Sequence, residues 1–441
     1  MALSRILYYN FKLNHNLHRD RHSILQLRET KLRKLLKYAV RHSDFYRKFY
    51  ADHDINTDNP ENIDIKDLPV IDKKIMMDNY DDLVIPDELT KERVEDFFES
   101  SPEPHKILFN KYRALHTSGT TGEIGYYLYN QREWDFIKAI SLRILPHFGL
   151  KPKSYVFIGA VDGHFAGVCL FLSPVNSTEE FFYRDYLVID INYPLKQYID
   201  TLNRFNPDVI TGYSTGVGML AELQKCGKLS VSPQAVVCGG EPITPEKREL
   251  IHEVWKCKLI NYYAASESLI LGVERTDLEG FYLFDDVNYI EFRDDHILLT
   301  NLYNYTQPLI RYRMNDILVP LEEEGIWPFT KIKNVIGRQE ELLWFINQKG
   351  NFDFIHPIVI VEFYVKGLDK YQLIKTGNTS FTFKAVISQQ FSEDLVIKKI
   401  DKRLHEILKN KEMLNLDYGI IVVSDIMSDP KSGKYNLIIE R

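Results

Sequence analysis

The sequence predicts an α/β protein: a large N-terminal region built on mainly parallel sheets, followed by a small α+β unit. Three observations carry this. Strand-like and helix-like stretches alternate at βαβ lengths between Tyr155 and Tyr263. The chain, at 441 residues, is long enough for a large catalytic region plus at least one smaller domain. Residues 353–441 return to alternating strand and helix after a section rich in short strands and turns.

Taken in order, residues 23–50 read as one helix, with Leu25, Leu32, Leu35, Leu36 and Ala39 at helical spacing and basic residues between them. Asp52–Asp81 is loop-rich and acidic, and its DLPVIDKKIMMDNY stretch runs from a short extended piece into a helix capped by Asp72. Leu83–Pro104 reads as a polar connection. Tyr126–Tyr129 suits a strand and Gln131–Phe148 a helix. Tyr155–Ala160, Asp208–Gly212, Ala235–Cys238 and Leu259–Tyr263 are buried-strand candidates. A helix runs through Met219–Leu223. Thr244 and Pro245 open another, since Thr caps and Pro suits the first helical position. From about 281 to 345 short strands and turns dominate. Phe381–Ile387, Phe391–Leu408 and Tyr418–Val423 then read as strand, helix and strand.

Composition sets outer limits. Hydrophobic residues make up 44% and charged residues 27%, ordinary for a globular chain, and the formal net charge of −7 argues against wholesale nucleic-acid binding. Residues 1–50 nevertheless hold 12 Lys/Arg against 3 Asp/Glu, so the acidic balance lies in the remainder. Such a basic end suits contact with an acidic membrane surface or a pathway partner, and equally a solvated helix face. Cys169, Cys226, Cys238 and Cys257 show no CxxC spacing, which points to reduced thiols in a cytoplasmic protein. No apolar run approaches the ~20 residues of a membrane span, and the N-terminus lacks a signal-peptide pattern.

Chemistry concentrates in a few short stretches. In His116–Gly125, HTSGTTGEIG, seven residues are Ser, Thr or Gly. Glycines let backbone N–H groups approach an anion, and hydroxyls add donors. The stretch lacks the Gly-Lys-Ser/Thr ending of a Walker loop. Gly239-Gly240-Glu241 follows a strand and precedes a capped helix, where a glycine pair exposes backbone to a flat ligand. Tyr263-Ala264-Ala265-Ser266-Glu267 ends a predicted strand: a tyrosine face stacks on a base, a Ser hydroxyl donates to phosphate, and a carboxylate beside phosphates holds Mg²⁺. In Pro308–Asp316, PLIRYRMND, an acidic side chain suits ribose hydroxyls, while the two arginines are candidates for paired surface residues. Gly337–Glu341, GRQEE, and Ser432-Gly433-Lys434 complete the series. A lysine on a glycine-tipped loop can bring a point charge to a phosphate or carboxylate. Asp162–Gly167, DGHFAG, offers His164 either as a gate beside an acyl pocket or as a satisfied loop histidine.

The order of these stretches resembles the motif series of the adenylate-forming superfamily of acyl-CoA synthetases, peptide-synthetase adenylation domains and luciferases. KLLKYAVRHSDFYRKFY, DLPVIDKKIMMDNY, GYSTGVGMLAEL and TNLYNYTQPLIRYRMNDI are similar to its phenylacetate–CoA ligase branch, including CapK-like capsule-biosynthesis proteins. The resemblance covers roughly residues 25–441. It implies a multi-layer N-terminal domain over 1–339 and a mobile C-terminal domain over 340–441, joined by a hinge at Glu340, where many relatives carry Asp. It implies that Ser118, Gly119, Thr120, Thr121 and Gly122 hold the ATP phosphates, and that Gly239, Gly240 and Glu241 line the adenine pocket. Tyr263 would stack on adenine, Ser266 contact phosphate and Glu267 ligate Mg²⁺. Asp316 would bind the ribose, with Arg338 close by, and Lys434 would be the adenylation lysine. Lys434, Glu267 and Thr120 are thus the catalytic candidates.

The implied activity is ATP-dependent, AMP-forming ligation of a small carboxylic acid to a thiol, with CoA as the acceptor. Acyl transfer to an amine or protein thiol in surface-polysaccharide biosynthesis is the alternative, and an inactive nucleotide-binding scaffold is the non-enzymatic one. The branch often dimerises, so a homodimer is also implied. Ala264 stands where the family usually has Gly, Ser266 where it has Thr, and Glu123-Ile124-Gly125 where many relatives have Pro-Lys. The first two leave stacking and hydroxyl donation intact, and the third lies where the branch is variable, so it does not imply inactivity.

Overall fold

The computed structural model describes residues 2–117, 124–144, 152–172, 185–241, 243–276, 278, 280–323, 325–336, 343–361, 363–426 and 437–440. Helices α1 (Ala2–Asn16), α2 (Arg21–His42) and α3 (Asp44–Ala51) open the chain. The predicted helix over 23–50 is therefore two helices. Ser43 adopts extended backbone, its N–H donates to Ala39 O and closes α2, and its hydroxyl accepts from Tyr46 N and starts α3. One hydroxyl residue thus ends one helix and caps the next, which apolar spacing alone does not reveal.

Short helices α4 (Lys73–Asp78), α5 (Tyr80–Leu83) and α6 (Lys91–Ser100) follow. Asp72 caps α4 as predicted, accepting from Ile75 N at 2.8 Å. Helix α6 lies within the stretch read as a polar connection. Its buried side is only Val94 and Phe98, too few apolar positions to announce a helix. Strands β1 (Tyr112–His116) and β2 (Tyr126–Asn130) form an antiparallel hairpin, and α7 (Gln131–Ile144) leaves it.

The main sheet is assembled from β3 (Ser154–Gly159), β4 (Asp185–Asp190), β5 (Val209–Gly212), β6 (Ala235–Gly239), β7 (Lys258–Ala265), β8 (Leu269–Arg275) and β9 (Phe281–Leu283). Helices α8 (Ala166–Leu172), α9 (Leu195–Phe205), α10 (Ser214–Lys225) and α11 (Pro245–Trp255) connect its first five strands. Strands β10 (Asn288–Phe292), β11 (Ile297–Asn301) and β12 (Tyr312–Met314) form a separate antiparallel sheet, while β13 (Ile317–Pro320) and β14 (Lys331–Ile336) return to the main one. The nine strands run β13-β14-β9-β8-β7-β6-β5-β3-β4. Pairing is parallel from β4 across to β7 and antiparallel from β7 to β13, so the sheet is mixed, not mainly parallel. Connection length explains most of this: the short links from β7 to β8, β8 to β9 and β13 to β14 cannot return the chain to the same end of the sheet, so those strands reverse.

Beyond residue 342, β15 (Leu343–Ile346) and β16 (Phe352–Ile355) pair and lead into α12 (Pro357–Val361). Strands β17 (Leu368–Gly377), β18 (Ser380–Ile387), β19 (Asp417–Val422) and β20 (Ile438–Glu440) form a four-stranded sheet with α13 (Glu393–Asn410) beside it, the α+β unit expected.

Two apolar cores result. One joins α1–α3, the hairpin, α7, the antiparallel half of the main sheet and β10–β12. The other joins the parallel half with α9–α11 to Leu343, Phe345, Phe354, Val359 and the α13 face. Much of the N-terminal positive charge is used internally: Arg5 pairs with Asp135, Arg21 and Arg28 with Asp285, and Lys31 donates to Asp286 O at 2.6 Å. Arg143 and Asp286 form a bidentate pair at 2.8 and 3.1 Å with neither side chain exposed, and Asn16 adds a bond to the same carboxylate. Asp286→Ala would strand the Arg143 charge, and a loss of about 3–5 kcal/mol is expected from the denaturant midpoint.

Candidate functional site

The parallel strands end together at Gly212, Gly239 and Ala265, the end of an α/β sheet where ligands sit. Four of the sequence stretches meet around this end. Thr117 and Gly125 of the Ser/Thr/Gly stretch border strands β1 and β2. Thr117 N donates to Gly125 O and Gly125 N to the Thr117 hydroxyl, both at 2.9 Å, so the base of the loop is closed. Ser118, Gly119, Thr120, Thr121 and Gly122 themselves lie outside the described residues, as do Arg338, Glu340 and Lys434.

Strand β7 places Tyr263 buried, with its hydroxyl donating to Asp316 Oδ2 at 2.7 Å. The aromatic candidate for the base and the acidic candidate for the ribose are thus hydrogen-bonded neighbours, although 53 residues separate them. Glu267 follows at the turn after β7 and is buried. Tyr127 of β2 donates to its Oε1 at 2.9 Å, and the Tyr312 hydroxyl lies 2.9 Å from that of Tyr127. Tyr127 has one proton to give, so Tyr312 donates to Tyr127 in turn. Burial holds both phenols far above their ordinary range, so they stay neutral donors. Burial also raises the Glu267 carboxyl. Lys73 opposes that shift and Asp316 adds to it. Ser266 is half-buried, and its carbonyl accepts from the Tyr129 hydroxyl at 2.6 Å, which fixes the turn.

Lys73 is a cation that motif reading did not single out. Its ammonium lies 3.4 Å from the Thr117 hydroxyl and acts electrostatically on Glu267. Its position follows from backbone pairing: Ile71 N donates to Arg311 O at 3.2 Å and Arg313 N to Ile71 O at 2.8 Å. The DLPVIDKK stretch is therefore laid along β12, the strand that leads to Asp316. The signal was present as a lysine at the first turn of a capped helix, but nothing local says what it faces.

The glycine pair has a packing reason besides the one expected. A Cβ on Gly239 would sit 2.3 Å from the Tyr262 ring, and Gly240 adopts φ +79° against Tyr213. Gly239 is buried and Gly240 exposed, so one of the two presents backbone outward. Glu241 turns to α10 and accepts from Thr215 N at 3.0 Å and from the Thr215 hydroxyl at 2.6 Å. His356 Nε2 stands 2.6 Å from the same hydroxyl. Since that hydroxyl gives its proton to Glu241, Nε2 of His356 carries a proton and donates. Burial pushes His356 down to about 3, so it is neutral. This link ties the GGE turn to residues beyond 342.

The remaining candidates are structural. Arg311 is buried in a two-bond pair with Glu291, and Arg313 pairs with Asp295. His164 Nε2 donates to Ser101 O, 2.6 Å away, and its backbone N–H donates to His116 Nε2, so it is held as a loop histidine, with its buried Nδ1 left without a hydrogen-bond partner among the described residues. Among the described residues no three His, Cys, Asp or Glu side chains are grouped to hold a metal. A single buried carboxylate instead fits an ion that arrives on nucleotide phosphates.

No protein-family model matches the chain. It is similar to Protein CapK of Staphylococcus aureus, 24% identical over 436 residues that cover 94% of this chain and 89% of that protein. It shares its fold with 2-hydroxyisobutyryl-CoA ligase. Against that ligase with 2-HIB-AMP and CoA in the thioesterification state the TM-score is 0.60, with 15% identity, 97% of this chain and 91% of that chain covered. Against its open conformation the TM-score is 0.56, with 15% identity, 94% and 91% covered. The chain therefore has the fold of that CoA ligase. Among the described residues no helix is long and apolar enough to cross a membrane.

Proposed function

We propose that this chain activates a small carboxylic acid with ATP, forming an acyl-adenylate and pyrophosphate, and passes the acyl group to the thiol of CoA. The observation that carries the reading is the meeting of Thr117, Lys73, Glu267, Tyr263 and Asp316 at one end of the sheet. The fold shared with a ligase studied with 2-HIB-AMP and CoA supports it.

The chemistry follows from charge. A carboxylate oxygen attacks the α-phosphorus of ATP, the bond to pyrophosphate breaks, and pyrophosphate leaves with the electron pair. Two anions must approach, so cations and donors are needed where charge builds up. Lys73, the hydroxyls and N–H groups of residues 117–122, and Lys434 supply them. Glu267 would hold the Mg²⁺ that accompanies the nucleotide, which would supply neutralising charge at the phosphates. Tyr263 and Asp316 hold adenine and ribose, with Gly239, Gly240, Glu241 and Arg338 around them. In the second step the thiolate attacks the acyl carbon and AMP departs. Residues 340–441 turn about Glu340 between the steps, so that one site serves both.

A panel of carboxylic acids assayed by pyrophosphate exchange tests this. At least one acid is expected to drive exchange, and addition of CoA to yield AMP and an acyl-CoA. An amide formed without any thiol would replace CoA with an amine acceptor. ATP binding with no exchange for any acid would leave a nucleotide-binding scaffold.

A further inference from the structure

Helix α1 packs on α7 through Ile6, Leu13 and the edge of Tyr9 against Phe136, and is pinned by Arg5 to Asp135 and Asn10 to Ala139 O. Its opposite side carries Leu7, Tyr8 and Phe11, which are 46%, 54% and 72% exposed. These three lie within one turn and form a continuous apolar stripe. Scattered exposed apolar residues need no explanation, but a stripe on one helix face does.

The rim of the stripe is basic. Residues 2–19 contain Arg5, Lys12 and Arg19 and no acid. Lys12 is exposed and stands over the Tyr8 ring at 4.4 Å, and Arg19 is exposed at the end of the same segment. Lys34 of α2 is exposed as well, and both it and Lys12 act electrostatically on the half-buried Lys31. The first acid, Asp20, is engaged as the cap of α2.

We infer that the outer face of α1 docks on an anionic lipid surface, with Leu7, Tyr8 and Phe11 entering the headgroup layer and Lys12, Arg19 and Lys34 facing lipid phosphates. An amphipathic helix lying in the interface, aromatic and aliphatic inward and cations at the edge, is the arrangement such surfaces take. A second copy of the chain fits less well. A two-fold contact would set the basic rim against itself, and three part-exposed side chains fall far short of the ~800 Å² per partner that a stable interface buries.

The test is flotation of the full chain with phosphatidylglycerol/phosphatidylcholine vesicles and with pure phosphatidylcholine vesicles. Binding to the mixed vesicles is expected to exceed binding to the neutral ones by about tenfold or more. The double variant Leu7→Ser, Phe11→Ser and the double variant Lys12→Glu, Lys34→Glu should each lose about tenfold, with unchanged melting temperature and circular dichroism. A Lys12→Arg, Lys34→Arg control keeps the charge and should keep binding. Equal binding to both vesicle types, or binding untouched by either double variant, overturns the proposal. So does a dimer in sedimentation that Phe11→Ser dissociates while vesicles are ignored.

Discussion

Lys434→Ala is expected to lower carboxylate-dependent pyrophosphate exchange by about 10³-fold or more, with ATP affinity changed only several-fold. The argument is differential: a point charge that reaches the α-phosphate and the attacking carboxylate together acts where charge accumulates in the transition state, and only weakly on the bound nucleotide. Lys73 cannot replace it, because Lys73 is anchored beside Thr117 by the pairing of Ile71 with the strand that leads to Asp316. Single-turnover adenylation and ATP binding, measured on the same preparation, separate the two effects. Equal losses in binding and exchange would make Lys434 an ordinary nucleotide contact. No loss in either would remove the C-terminal unit from the first step.

The second large effect is expected at Glu267. Glu267→Gln keeps the shape and an oxygen to accept from Tyr127, but removes the charge proposed to hold the nucleotide's Mg²⁺. Exchange should fall by about 10²–10³-fold, and extra Mg²⁺ should restore little of it. Stability should move the other way. Burial raises the Glu267 carboxyl in the folded chain. A carboxyl raised on folding contributes stability below its unfolded value and loses it as pH rises through the folded value. At neutral pH the neutral glutamine therefore leaves the fold as stable or more stable. In the parent, the acid limb of the exchange profile should lie above the ordinary carboxylate range, since the site needs the ionised form. A variant that unfolds, or a parent whose acid limb lies in the ordinary range, would show that Glu267 is structural.

How far the site could be read from the sequence differs by residue. Tyr263, Glu267 and Asp316 sit in short stretches whose residue types match their chemistry, and the structure makes two of them hydrogen-bonded neighbours. Lys73 could not be picked out: it stands among other lysines, and its meaning comes from Thr117 and Glu267, which reach it from a hairpin and a distant strand end. The same holds for His356, which bonds the Thr215 hydroxyl, 141 residues away in the chain, and through it reaches Glu241. In the other direction, the two arginines of PLIRYRMND are explained by pairing with Glu291 and Asp295, and His164 by Ser101. A motif names residue types, while a partner decides whether a residue is free for a ligand.

By itself the sequence determined the local grammar: apolar runs for β3 and β5–β7, helical apolar spacing for α2, caps at Asp72 and Thr244, and the order of the polar stretches. These depend on neighbours a few positions away, and the chain displays them directly. Only the tertiary structure decided the reversal of the sheet after β7, the break of the first long helix at Ser43, the use of basic N-terminal side chains on Asp135, Asp285 and Asp286, and the convergence of Lys73 on Glu267. Each of these is set by pairing or burial between segments far apart in the chain. Long-range register and desolvation follow from three-dimensional closure, and no window of sequence contains them.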